Sequence, residues 1–259
     1  MLLTGSLLDR VPGRKYVQAL RFAELTLRAP LPRAATLVSW RAKLPADFQV
    51  ALRAPRASVV SKRGPLRSDP ELDASLEWLI QAADAVGARA VVLPTPGDLT
   101  PGPRSRELLA AYVARLPRSA GRFYVWSPAG LWEPDDTNEL CTRLGIVRAF
   151  DPLEMPRPTG DIVYAQLRAM GHRSSFSPAA LEDALAVIGG APTTQAFVSV
   201  DAARAFDIAR RLMQIAADQQ LFGLAPGDVA PSEDEASDED DDGETDEDAD
   251  DEDADADSP

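Results

Sequence analysis

Short apolar and β-branched runs alternate along this chain with longer amphipathic runs, the signature of βα units rather than of a helical bundle or a β-sandwich. Eight strands are predicted, at Leu2–Ser6, Phe22–Arg28, Phe48–Ala54, Arg89–Thr95, Arg122–Ser127, Ile146–Phe150, Asp161–Arg168 and Ala196–Asp201. Helical spacing marks Thr36–Leu44, Pro70–Val86, Ser105–Leu116, Thr137–Leu144, Ser177–Ile188 and Ala202–Gln220. The clearest helix begins at Pro70. Leu72, Leu76, Leu79, Ile80 and Ala83 fall on one face, Asp69 stands at the N-cap before Pro70, and Gly87 follows the end.

Between the sixth and seventh strands only DPLEMPRPTG intervenes, too short and too rich in proline for a full crossover helix. The expected fold is therefore α/β, a (β/α)8 TIM-like barrel with that helix reduced or missing. No G-x-G-x-x-G follows any strand, which disfavours an open dinucleotide-binding sheet, and no cofactor is implied. The motifs of P-loop NTPases, zincins and α/β-hydrolases are also absent.

Charge divides the chain. It has 259 residues, 41 acidic against 27 basic side chains, and a net charge of −14. Residues 231–259 hold 18 of the acids and no Lys or Arg, so residues 1–230 carry a net charge of +4. Residues 1–220 are read as the barrel, 221–231 as a linker rich in Gly and Pro, and 232–259 as a disordered acidic tail with nothing to bury. Such a tail repels nucleic acid and suits a basic protein partner. Asp238, Asp240, Asp242 and Gly243 imitate a calcium loop, but Ala249 stands where its bidentate Glu belongs. A lone Cys141 fits a reducing compartment, and no leader or membrane span is legible, so a cytoplasmic location is expected.

Four stretches in order then resemble the YecE-like family, a group of β/α-barrel proteins catalogued as a domain of unknown function. They are SWRAKLPADFQVALRAPR (Ser39–Arg56), LPTP with the LLAAYVARLP helix behind it, VYAQLRAMG, and AFVSVD leading into AFDIARRLMQIA. The resemblance spans about Thr4 to Ala217 and implies the same barrel. It also implies a rewritten mouth. Glu24 matches the family's acidic position and Pro55-Arg56 are kept, but Arg53 replaces a lysine, Val92 a Gln, and WSPA a Glu-Phe-Arg-His run, with Trp132 falling where a family Trp does. Gln166 and Arg168 replace an Arg and a His, and Asp201 and Ala202 replace paired Asn. The tail lies outside the resemblance.

Barrel sites form at the C-terminal strand ends, which here bring Arg28, Arg53, Gln166, Arg168, His172 and Asp201 into consideration. Tyr164, Gln166 and Arg168 share one face of their strand, as do Ala51 and Arg53. With those faces inward, the guanidinium groups converge on a site for a small anionic ligand, with Arg53, Gln166, Arg168 and Arg28 as its contacts. Glu24, His172 and Asp201 are the candidates for proton transfer in an alternative enzyme acting on a phosphorylated or carboxylated substrate. Glu24 with Arg53 equally makes a structural ion pair, and His172 a solvated loop residue. With one His and one Cys, a metal site is not expected. A third reading makes the barrel a scaffold whose acidic tail recruits a basic partner.

Overall fold

The computed structural model describes residues 1–169, 175–190 and 194–224. Its strands in chain order are β1 (Leu2–Leu8), β2 (Phe22–Thr26), β3 (Gln49–Arg53), β4 (Val60–Ser61), β5 (Gly64–Pro65), β6 (Ala90–Thr95), β7 (Phe123–Pro128), β8 (Val147–Phe150), β9 (Ile162–Arg168) and β10 (Gln195–Asp201). β4 and β5 form a small antiparallel hairpin. The other eight are the strands read from the sequence; they pair in parallel and close into a barrel ordered β1-β10-β9-β8-β7-β6-β3-β2. β1 seals it by pairing with both β10 and β2.

Both faces of such strands are buried, so alternation sorts side chains between two cores. Leu3, Phe22, Ala51, Ala90, Val92, Val125, Ala149, Tyr164 and Phe197 fill the interior. Ala23, Leu25, Val50, Leu52, Val91, Val163 and Val198 face outward into the layer under the helices. Large and small residues balance within the interior. Phe22 meets the edge of Phe197 at 5.3 Å between centroids, while Ala51, Ala90 and Ala149 leave room for the rings.

The seam between β1 and β2 depends on two residues. A Cβ on Gly5 would lie 2.1 Å from the Phe22 carbonyl oxygen, so only glycine permits that approach. Beside it, the Ser6 N–H donates to Tyr16 Oη at 2.7 Å, and the Tyr16 hydroxyl donates to the Phe22 carbonyl at 2.8 Å. Tyr16 belongs to α1 (Arg14–Ala19), a six-residue helix that periodicity did not mark because it offers little more than one turn.

Outside the barrel, α2 (Ala34–Ala42), α3 (Arg56–Val59), α4 (Pro70–Ala85), α5 (Pro103–Ala114), α6 (Pro134–Leu144), α7 (Pro178–Gly189) and α8 (Ala205–Asp218) complete the outer ring. α4 begins as its sequence predicts, with the Leu72 N–H donating to Asp69 Oδ1 at 2.8 Å. Thr4 Oγ1 donates to the Ala209 carbonyl at 2.8 Å and pins α8 to β1.

No helix joins β8 to β9. Arg148, only 3% exposed, points outward from β8 into that gap. It donates to the Pro134 carbonyl of α6 and to the Pro156 carbonyl of the proline-rich connection, each at 2.9 Å. The guanidinium thus ties the connection to α6 where a crossover helix would otherwise cover the sheet. Past α8, Leu221–Gly223 form a 3-10 turn, and Leu221 and Phe222 pack on the helical core. The acidic segment lies outside the described residues, of which no helix is long and apolar enough to cross a membrane.

Candidate functional site at the barrel mouth

Above the aromatic layer, the inward positions of the strands turn polar. Two residues beyond Phe22 stands Glu24, two beyond Ala51 stands Arg53, and two and four beyond Tyr164 stand Gln166 and Arg168. Ser127 of β7 follows Val125 in the same way. The period of two therefore carries each of these four strands from an apolar interior to a hydrogen-bonding mouth.

Glu24 is fully buried. Its Oε1 accepts from Arg53 Nε at 2.6 Å, and its Oε2 accepts from the Tyr164 hydroxyl at 2.8 Å. A buried carboxylate needs both a cation and further donors, and here each oxygen has one. Burial works against the charge of Arg53, but the charge and hydrogen bond of Glu24, with smaller contributions from Tyr164 and Asp201, outweigh it and raise its pKa. Burial, then the Glu24 charge, push the Tyr164 phenol well above its ordinary range, so it stays a neutral donor.

A second cluster stands beside the first. Gln166 is 4% exposed, and its Oε1 accepts from Ser127 Oγ at 2.9 Å and from Arg168 Nη2. Because a guanidinium can only donate, this contact fixes which end of the amide is oxygen. Gln166 Nε2 is then a buried donor with no hydrogen-bond partner among the described residues. Arg168 Nη2 also donates to Ser127 Oγ at 3.1 Å. Burial lowers the pKa of Arg168, and the like charge of Arg53 lowers it further, against the opposing influence of Glu24, Asp201 and Asp151. The charge of Arg53 thus reaches Arg168 across the mouth.

The remaining sequence candidates are distributed differently. Asp201 is exposed at the end of β10, in register with Arg168. Arg28 is exposed beyond the end of β2, and no hydrogen bond or ion pair joins it to either cluster among the described residues. His172 lies outside the described residues. Ser127 escaped the sequence reading, although its place two residues after Val125 on an alternating strand was the available signal. Among the described residues, no group of three or more His, Cys, Asp or Glu is placed to hold a metal ion.

A cavity of about 540 Å³ opens beside Arg53, between the ends of β2, β3 and β6 and the segments that follow them. Leu27, Leu31, Pro55, Val59 and Pro96 form much of its wall.

The closed parallel barrel with a polar layer at its C-terminal strand ends defines a TIM-type β/α-barrel protein. Its fold is similar to that of a DUF72 family protein from Enterococcus faecalis, at 12% identity and a TM-score of 0.62, covering 85% of this chain and 98% of that one. A DUF72 family protein from Thermotoga maritima is similar at 15% identity and a TM-score of 0.60, over 85% and 99% of the two chains. Endonuclease IV from Thermus thermophilus shares the barrel at 11% identity and a TM-score of 0.51, over 84% and 99%. No family model matches the sequence, and no curated protein matches it. The YecE-like resemblance of the sequence thus has its counterpart in the DUF72 structures, and at these identities the likeness is one of fold.

Proposed function

We propose that this barrel binds a small anionic ligand at its mouth, with Arg53, Arg168 and Gln166 Nε2 as the donors. One observation carries the reading. Arg168 is held near a second guanidinium while hydrogen-bonding neutral oxygens, and a buried amide N–H donor stands unpartnered beside it. Two like charges in a partly desolvated site raise each other's energy, and an anion between them relieves that repulsion while pairing the orphan donor. The enzymatic alternative needs a group free to move a proton. Both oxygens of Glu24 are already engaged, which favours binding over catalysis by that residue.

The test is a thermal-shift titration of the full chain with inorganic phosphate, sulfate and acetate, repeated with Arg168→Ala. A ligand at a hundredfold excess over Kd stabilises by about 2.7 kcal/mol, a shift of roughly 5–10 °C for a domain of this size. The reading requires such a shift from at least one anion and its loss in the variant; equal responses of both proteins would refute it.

A further inference from the structure

The two sides of the mouth differ in character, and the cavity beside Arg53 is the apolar side. Arg53 Nε is committed to Glu24, which leaves the two terminal nitrogens as a fork. The Arg53 side chain is 17% exposed and lines the cavity. Arg56 is the other charged residue of the wall, and no acidic residue lines it among those described. Leu27, Leu31, Val59 and three prolines, Pro55, Pro94 and Pro96, supply an apolar surface, and the fixed φ of proline limits its rearrangement. Its volume falls in the range of about 300–1,000 Å³ typical of small-molecule sites.

From this juxtaposition we infer that the ligand is a monocarboxylate with an apolar body, its carboxylate on the fork of Arg53 and its body in the 540 Å³ cavity. This inference rests on the mouth-binding reading above. A planar carboxylate matches a guanidinium fork with two parallel hydrogen bonds. A phosphate dianion in the same place would lose more hydration than these walls replace. An uncharged apolar molecule would leave the fork unpaired. The chemical class is therefore set by the cationic fork of Arg53, with Arg56 as a further positive charge on the wall, and by the apolar surface beside them.

The test is calorimetric titration of the full chain with the linear carboxylates from butanoate to octanoate, below micelle-forming concentrations. 1-Octanol and inorganic phosphate serve as comparisons. Affinity is expected to rise up to about fourfold per added methylene, with a negative heat-capacity change of binding, and octanol is expected to bind at least about tenfold more weakly than octanoate. Leu31→Trp, which fills the cavity, should abolish the dependence on length. Because Arg53→Ala strands a buried carboxylate, the charge is removed instead with the paired change Glu24→Gln and Arg53→Met, and circular dichroism verifies the fold. That pair should lose octanoate binding. Phosphate binding without any length dependence among the carboxylates would overturn this inference and leave the mouth reading standing. No binding of either kind of anion would overturn both. Octanol binding as tightly as octanoate would refute the role given to Arg53.

Discussion

Arg53 Nε meets Glu24 Oε1 at 2.6 Å at the mouth of the barrel, and the carboxylate it meets is fully buried. The pair joins β2 to β3, and Tyr164 extends it across the interior to β9. Removing the cation alone leaves a buried charge with a single phenol for support. Arg53→Ala is therefore expected to destabilise the barrel by about 3–5 kcal/mol. The paired change Glu24→Gln with Arg53→Met should recover most of that loss, because neither charge then remains. Urea unfolding of the wild type, Arg53→Ala and the paired variant checks the expectation, and a paired variant as unstable as Arg53→Ala would contradict it.

Tyr16 stitches the β1–β2 seam through one hydroxyl. Tyr16→Phe keeps the ring but leaves the Ser6 N–H and the Phe22 carbonyl without that partner. A loss of about 1–3 kcal/mol is expected, measurable as a lower urea midpoint with an unchanged slope. A neutral result would mean that water replaces the hydroxyl at the seam.

Arg148 stands in for part of the crossover helix that is missing between β8 and β9. Arg148→Ala frees the Pro134 and Pro156 carbonyls and is expected to cost about 2–3 kcal/mol. The opening should be local. Hydrogen exchange should accelerate in residues 151–161 and at the start of α6 more than in β1 or β10, and uniform acceleration would argue against the tether.

Alkaline pH should erode stability in a defined window. Burial raises Cys141 from its ordinary 9.0 to about 12 and Tyr16 from 10.0 to about 12, and it also raises Tyr112 and Tyr164. In each case the native state holds a proton that the unfolded chain releases at lower pH. Their contribution is complete below about pH 8.5 and is lost as pH rises toward 12, at about 1.4 kcal/mol per pH unit for each ionising group. Urea midpoints measured from pH 8 to 11 should fall and steepen above pH 10. A flat profile would contradict the burial of these groups.

Periodicity exposed the strands because each buries both faces, so its apolar run stands out between polar connections. Six helices were legible for the related reason that one face of each packs on the sheet. The weak connection before β9 was equally readable, since prolines in a short segment cannot build a crossover helix. α1 was not, because a single turn carries no period; Tyr16 stabilises it by reaching two backbone groups that lie in different strands.

The mouth was legible only as alternation. Sequence placed Gln166 and Arg168 on one face and Arg53 on another, but a period of two does not say which face turns inward. Closure of the barrel fixes it, by pairing β1 with both β10 and β2 and leaving Phe22, Tyr164 and Phe197 to fill the interior. That choice carries Glu24, Arg53, Gln166 and Arg168 to the mouth and leaves Arg28 exposed beyond the end of β2. Local pattern and composition were enough to establish the elements, their order, and the separation of a weakly basic body from an acidic segment, because each of these is a property of neighbouring residues. The ion pair of Glu24 with Arg53 was one of the readings the sequence offered, and the folded barrel decided it; that Arg168 meets Ser127 required the barrel outright, because these contacts join residues 29 and 41 positions apart, brought together by the register of a closed sheet.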